Sequence, residues 1–166
     1  MREIEPAQWQ ADVISLWSRR WLLLTAGTMR DCNMMTVGWG SIGCMWAQPF
    51  AQVVVHPQRR TRGYMDSADS FTLCAFPEEY RSDLQTLGTI SGKNTDKLAQ
   101  TRLTLQPSRK IAAPAYTQAS LIIECEKIYQ QDMDPHGFLD ATIQDHYPNA
   151  NYHRIYFGRI VAILAE

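Results

Sequence analysis

The stretch NMMTVGWGSIGCMWAQPFAQVVVHPQRRTR, residues 33–62, decides the fold prediction for this chain. It has no charged residue before Arg59, and it contains three glycines, two tryptophans and an apolar run that ends at Pro57. Glycine weakens a strand unless a bulge, a second backbone or a ligand requires it. A plain loop, on the other hand, has no need of tryptophans. The stretch therefore predicts strands that also hold a ligand.

Apolar, β-branched and glycine- or proline-terminated runs on either side predict further strands. The predicted strands are residues 21–27, 35–43, 50–57, 70–76, 118–133 and 153–166. The predicted short helices are residues 61–69, with Thr61 as the N-cap, 77–88, 94–101 and 135–151. Strands and helices do not alternate as βαβ units, and no G-x-G-x-x-G motif follows the first strand, which argues against a Rossmann domain. The pattern predicts a mainly β fold, an antiparallel β-barrel with short peripheral helices.

Length and composition predict one globular domain over residues 1–166. Hydrophobic residues make up 45% and charged residues 20% of the chain, which argues against disorder. The formal net charge is -1, so no overall field attracts a polyanion such as DNA, although a local phosphate site is compatible with this value.

The cysteine pattern and the lack of targeting signals predict a cytoplasmic protein with no membrane contact. The four cysteines have irregular spacing, form no C-x-x-C pair and make no zinc-type cluster with histidine, so no metal site is predicted. Free thiols are typical of a reducing compartment. No signal-peptide pattern begins the chain, and no apolar run approaches the ~20 residues of a membrane span.

The opening stretch carries the groups that a flat ligand with a polar edge requires. Its glycines allow close approach of the backbone, and Asn33 and Thr36 supply side-chain hydrogen bonds. Trp39 or Trp46 can cover a ring face, but each is equally well explained as a core or interface residue.

The end of the stretch predicts a site for an anionic tail. Arg59, two residues after Pro57, can neutralise a phosphate, and Thr61 with the N–H groups of the following helix can complete the site. Of the three arginines at positions 59, 60 and 62, at least two are expected to be solvated. A flat ring with a phosphate tail is the shape of flavin mononucleotide, FMN.

Four sequence pieces, in this order, resemble the flavin reductase-like, flavoredoxin-type family. They are Asn33 with Met35–Gly40, HPQRRT (His56–Thr61), SGKNTDK (Ser91–Lys97) and HRIYFGRI (His153–Ile160). Each piece alone is weak, but the four together cover nearly the whole chain from about Trp21 onward. The resemblance implies an FMN-binding split β-barrel and a homodimer with FMN near the dimer interface.

The resemblance and the residue chemistry together give a set of cofactor contacts. In this family the segment from Asn33 to Gly40 would contact the ring and ribityl chain, Arg59 and Thr61 the phosphate, and the SGKNTDK loop would close over the cofactor. The predicted contacts are Asn33, Met34, Met35, Thr36, Val37, Gly38, Trp39, Trp46, Arg59, Thr61, Ser91 and Lys93. His153 is a candidate catalytic group, although a structural histidine is the more common outcome.

Two positions depart from the family pattern. Asn151 stands where relatives often carry an aspartate, which weakens the case for His153 as a paired, charged group. Lys93 stands where many carry arginine, which keeps the positive charge but loses the bidentate geometry.

The function implied by the resemblance is an FMN-dependent oxidoreductase that takes electrons from NADH or NADPH and passes them to a flavin or another acceptor. The alternative is an electron-transfer flavoprotein that is reduced by a partner protein. A barrel that binds single-stranded nucleic acid is a third hypothesis, against which the neutral charge and the lack of a basic stripe argue.

Overall fold

A computed structural model describes residues 1–90 and 96–166 of the chain. Its dominant feature is an eight-stranded antiparallel sheet. The strands are β1 (Arg2–Ile4), β2 (Leu22–Gly27), β3 (Cys32–Val37), β4 (Gly40–Met45), β5 (Gln48–Val55), β6 (Ser70–Ala75), β7 (Leu105–Gln106), β8 (Ala115–Tyr116), β9 (Leu121–Asp132) and β10 (Arg154–Ala165). The predicted mainly β, antiparallel architecture is confirmed.

The main path of the sheet runs β3-β2-β6-β9-β10-β5-β4, with β1 added beside β10, while β7 and β8 form a separate pair. The two 12-residue strands, β9 and β10, pair along their length with two register shifts, after Phe157 and after Ile160. Bulges of this kind bend a strand and let the sheet curl. β3 and β4 lie at the two ends of the path and pair with one neighbour each.

The helices are short and lie outside the sheet. They are α1 (Val13–Ser15), a π-helix (Leu16–Arg20), α2 (Thr61–Ser67), α3 (Arg81–Thr89) and 3₁₀ turns at Pro6–Gln8, Glu78–Tyr80, Leu98–Gln100, Pro135–Gly137 and Ala141–His146. Among the described residues, none of these helices has the length and apolar character needed to cross a bilayer.

Two apolar cores use the two faces of the sheet. The inner core gathers alternate residues of β2, such as Leu22 and Leu24, with side chains of the other long strands. The outer core places Leu23 of the same strand against Leu84 and Leu87 of α3. Because strand side chains alternate between faces, β2 is buried on both sides, which explains why Thr25 is its only polar side chain.

Three sequence predictions are corrected by the structure. The single strand predicted for residues 35–43 is two strands, β3 and β4, because the chain leaves the sheet at Gly38 and Trp39. Thr61 is not the N-cap of α2; Arg60 holds that position, and Thr61 is the first helical residue. The helices predicted near residues 94–101 and 135–151 are 3₁₀ turns where they are described, too short to establish an α-helical ladder.

Candidate functional site

A polar cluster forms where the end of β5, the start of α2 and the edge strand β3 meet. Asn33 of β3 donates from Nδ2 to Oγ1 of Thr61 at 2.7 Å, and Thr61 donates in turn to the Met34 carbonyl oxygen at 3.3 Å. Asn33 and Thr61 are both buried. Since β3 is an edge strand, its outward carbonyls have no strand partner, and these side chains supply one. The cluster thus fixes α2 to the free edge of the sheet.

Lys97, the last residue of the SGKNTDK piece, completes this cluster, although it was not among the predicted contacts. Lys97 is only 4% exposed, and its ammonium group donates to the carbonyl oxygens of Met34 and Leu87. Burial, together with the positive charges of Arg59 and Arg60, lowers the pKa of Lys97 from its ordinary value to about 8. Burial of a charged ammonium group costs free energy, which favours a functional role for Lys97 in addition to its structural one.

Arg59 lies beside Lys97 and shares its neighbour, the last turn of α3. Arg59 donates from Nη2 to the Gly88 carbonyl oxygen at 2.5 Å, and burial lowers the pKa of its guanidinium. Thr36 of β3 donates to the Leu84 carbonyl oxygen in the same helix, also at 2.5 Å. The helix end can lie this close to β3 because residue 88 is glycine; a Cβ there would come within 3.2 Å of the Thr36 side chain.

In the part of the chain that the structure describes, neither of the two cations forms an ion pair with a negatively charged side chain. Every ion pair found in residues 1–90 and 96–166 uses basic groups other than Arg59 and Lys97. The intervening residues 91–95 are Ser-Gly-Lys-Asn-Thr, which include no acid. The C-terminal end of a helix such as α3 carries a partial charge of about -0.5. This partial charge offsets only part of the charge of about +2 on Arg59 and Lys97.

The charge of the cluster therefore matches a phosphate monoester. Such a group carries about -1.5 to -2 charges at neutral pH. Arg59 has five N–H donors and uses one on Gly88, and Lys97 has three and uses two, so donors remain for the phosphate oxygens. The residues present thus fit the phosphate end of FMN.

The predicted contacts Met34, Met35, Val37 and Gly38 have no side chain in the polar cluster. Met35 and Val37 lie in the inner core, and Met34 lies in the outer core. Gly38 adjoins the Trp21 ring, and a Cβ at residue 38 would be 3.6 Å from Trp21 Cδ1. A ligand contact at these positions would therefore be made by main-chain atoms of the free strand edge.

An aromatic group lies beyond the C-terminal ends of β3 and β5. The Trp39 side chain is 51% exposed, and its ring centroid is 5.3 Å from His146 and 5.4 Å from His153. His56, three residues before Arg59, lies 5.2 Å from His153. This group is an open aromatic surface suited to a planar ring, close in sequence to the cationic cluster.

Two imidazoles of this aromatic group, His56 and His153, have lowered pKa values and are neutral at physiological pH. Burial and the neighbouring His56 lower the pKa of His153 to about 4, and burial and Arg59 lower the pKa of His56. The structure thus gives His153 no ion-pair partner and no charge, in keeping with the departure noted at Asn151.

Trp46 has different neighbours from the other predicted contacts. It occupies the turn between β4 and β5, at the opposite end of β5 from His56, and its ring lies 5.9 Å from Tyr129 and 6.0 Å from Phe157. A cofactor contact for Trp46 stays a prediction. The predicted contacts Ser91 and Lys93 lie outside the described residues.

A family model described as the flavin reductase like domain matches residues 17–166. The chain belongs to the flavin reductase-like domain family. Its fold is the split β-barrel of the solved structures that it resembles, which confirms the predicted fold and family. β3 and β4, unpaired with each other at the two ends of the sheet path, form the split.

Individual relatives are distant. An uncharacterized protein of Pyrococcus abyssi is 29% identical over 122 residues, covering 73% of this chain and 69% of the relative. Flavoredoxin of Desulfovibrio vulgaris superposes with a TM-score of 0.70 at 18% identity, over 98% of this chain and 77% of the other. An NADH:FAD oxidoreductase of Streptomyces globisporus superposes with a TM-score of 0.65 at 12% identity, over 88% and 75%. At such identities the two solved structures show a shared fold.

Proposed function

We propose that this flavin reductase-like protein, acting as one domain over residues 1–166, binds FMN and uses it to pass electrons from NADH or NADPH to a flavin or another acceptor. The observation that carries the proposal is the pair of neighbouring cations, the buried Lys97 and the half-buried Arg59, with which no carboxylate of the described residues forms an ion pair. A dianionic terminal phosphate neutralises both, whereas the diphosphate of FAD presents one charge per phosphate group.

In this proposal the parts of the site have separate tasks. Arg59 and Lys97 bind the phosphate, while Thr61 and Asn33 fix its surroundings, and Ser91 and Lys93 approach from the following loop. The β3 edge from Met34 to Gly38 faces the ribityl chain and ring edge, and Trp39 lies against the ring. Bound FMN supplies the redox chemistry, and the protein supplies position and electrostatics.

Removal of the Arg59 charge tests the phosphate assignment. In Arg59→Ala we expect the dissociation constant for FMN to rise about 30-fold, since charge-assisted hydrogen bonds contribute about 1.5–3 kcal/mol. Riboflavin, which lacks the phosphate, should bind the variant and the wild type equally. Arg109→Ala removes an arginine that pairs with Glu3 and serves as the control. Wild-type FMN affinity in Arg59→Ala would refute the assignment.

The second candidate function is electron transfer from a partner protein without direct use of a nicotinamide. The resemblance in fold to a flavoredoxin motivates it. Anaerobic stopped-flow absorbance of the FMN-loaded protein separates the two functions. Rapid bleaching by NADH or NADPH supports the enzyme, and slow bleaching by both supports the carrier.

We also propose that the protein is a homodimer and that the turn between β4 and β5 lies in the interface. Met45, Trp46 and Tyr129 are 40%, 57% and 42% exposed and form an apolar knob. Beside it, a hollow of about 720 Å³ is lined by apolar side chains that include Ile42, Pro49 and Ile160. A knob and a hollow on one face allow two copies to exchange them across a two-fold axis. Sedimentation equilibrium should give twice the mass of the 19.0 kDa chain.

The cytoplasm is the compartment that we propose. All four cysteines are free thiols, and burial raises the pKa of Cys32 to about 11 and that of Cys74 to about 12, so neither is a reactive thiolate. Mass spectrometry after alkylation of cell extracts under native and denaturing conditions should find all four reduced.

A further inference from the structure

The segment between β9 and β10 builds an aromatic cap beside the Trp39 surface. Its two 3₁₀ turns bring together Phe138, Tyr147 and Tyr152, with Phe138 stacked on Tyr147 at 5.9 Å and Tyr152 at 5.1 Å from Tyr147. Tyr147 is buried, at 4% exposure. A buried phenol needs a hydrogen-bond partner, so the position of its hydroxyl is informative.

The Tyr147 hydroxyl reaches into the candidate site through His153. Its oxygen lies 3.0 Å from Nδ1 of His153 and 3.3 Å from the Met133 sulfur. An imidazole nitrogen is a strong acceptor, whereas a thioether sulfur is a weak one. In the arrangement proposed below, the phenol donates its proton to Nδ1, and the ring proton of the neutral His153 lies on Nε2.

The main chain holds the same histidine in place. The Met133 N–H donates to the His153 carbonyl oxygen at 2.9 Å, which ties the ends of the β9–β10 segment together. The ring is further packed by Trp39, His56 and Tyr147. Among residues 1–90 and 96–166, no hydrogen-bond partner of Nε2 is present, while Nδ1 has one. A fixed ring with a free N–H is thus next to an exposed indole.

We propose that Tyr147 is a positioning residue that holds His153 as an uncharged donor, with its Nε2–H available to a carbonyl oxygen of the planar reactant bound beside Trp39. The inference rests on the proposed function, because it assigns that reactant to the open surface next to the flavin. A neutral donor can serve the reactant carbonyl without adding a positive charge to the site that already contains Arg59 and Lys97.

The surrounding titratable groups keep the donor uncharged over the working pH range. His56 from the end of β5 and Tyr147 from the loop after the last 3₁₀ turn face the His153 ring, His146 lies against the adjacent Trp39 ring, and none of the three side chains is a carboxylate. Burial and His56 lower the pKa of His153 to about 4. A hydrogen bond to its neutral form acts in the same direction.

Nuclear magnetic resonance of the ¹⁵N-histidine-labelled, flavin-free protein tests the hydrogen bond directly. We expect His153 to carry its proton on Nε2 and to titrate well below pH 6. Tyr147→Phe should raise that titration midpoint, because the hydrogen bond to the neutral ring is lost. Tyr152→Phe is the matched control, since the Tyr152 hydroxyl bonds to Gln144 and not to His153. A proton on Nδ1 in the wild type, or equal shifts in both variants, would overturn the proposal.

Steady-state kinetics with saturating FMN tests the role of the donor. Tyr147→Phe should lower kcat/KM for NADH about five-fold, the loss expected for one neutral hydrogen bond, while FMN affinity and Tyr152→Phe stay near wild type. His153→Gln keeps an amide N–H near the Nε2 position and should retain most activity, whereas His153→Asn places it near Nδ1 and should lose about ten-fold. Equal losses in Gln and Asn would contradict the donor role.

Failure of the proposed function has a separate signature. A wild-type protein that binds no FMN would refute that function, and the proton position on His153 would still decide the hydrogen bond from Tyr147. Normal FMN binding and turnover that are insensitive to Tyr147 would refute the positioning role alone.

Discussion

The two ends of β5 differ sharply, although about 23 Å of one strand joins them. At its C-terminal end, after Val55, Thr61, Arg59 and Lys97 are buried or half-buried and form hydrogen bonds with residues of β3 or α3. At its N-terminal end, the turn presents Met45 and Trp46 to solvent. A buried excess of positive charge calls for a small anion, and an exposed apolar knob calls for a protein surface. If both proposals hold, the comparison teaches that the two ends of one strand serve two kinds of recognition.

Backbone strain marks the apolar end. The two-residue turn has φ angles of 53° at Trp46 and 57° at Ala47. Such a turn favours Asn-Gly, and each side chain with a Cβ in the left-handed region costs about 1–2 kcal/mol. This turn lowers the stability of the chain through its strain, and it also exposes a tryptophan. Both features are compatible with a turn that was selected for an interface rather than for stability.

The largest effect that we expect comes from the cationic end. Lys97→Met keeps an apolar stem of similar length but removes the ammonium, so the dissociation constant for FMN should rise about 100-fold. Flavin fluorescence titration measures it. Riboflavin affinity should change little, because riboflavin has no phosphate. An equal loss for both flavins would mean that Lys97 supports the fold near Met34 and not the phosphate.

The second effect concerns the apolar end. Trp46→Asp should raise the dimer dissociation constant about 30-fold, the scale of a central interface tryptophan, and leave FMN binding to the chain largely intact. Met29→Asp changes another apolar residue, 44% exposed, and is the control. Sedimentation velocity over a concentration series measures the constant. Identical behaviour of the two variants would remove the turn from the interface.

The third effect is a pH dependence that only the cationic end should show. Lys97 has a pKa of about 8 in the free protein, and a bound phosphate would raise it, so binding is favoured below pH 8 and weakens as pH rises. FMN affinity at pH 9 should be about ten-fold lower than at pH 7. Lys97→Arg should flatten the profile, because a guanidinium stays charged. A flat wild-type profile would show that this ammonium is not used.

The smallest effect is on stability. Ala47→Gly relieves the left-handed conformation at one residue and should raise the free energy of unfolding by about 0.5–1 kcal/mol. Ala150→Gly, at a second residue with positive φ, 52°, should act similarly and serves as a parallel case. Urea denaturation monitored by tryptophan fluorescence measures both. A loss of stability in Ala47→Gly alone would argue against strain in this turn.

The sequence alone determined the β fold and the family, and it predicted one end of the candidate site. Alternating and β-branched runs predict strands from local sequence alone. The spacing of Asn33, Arg59 and Thr61 follows a family pattern that can be recognised without any knowledge of long-range packing. The family model confirms that pattern over residues 17–166.

The tertiary structure alone decided which groups meet. Lys97 is distant in sequence from Met34 and reaches it because α3 and the following turn fold back over the edge of β3. Tyr147 and His153 are joined by an irregular segment whose aromatic packing has no periodic signal. Trp46 and Trp39 look alike in the sequence, but the register of β4 with β5 sends one to the turn and leaves the other beside the histidines. The sequence states the chemistry of each side chain. The neighbours of that side chain, and the net charge around it, depend on contacts that only the folded chain makes.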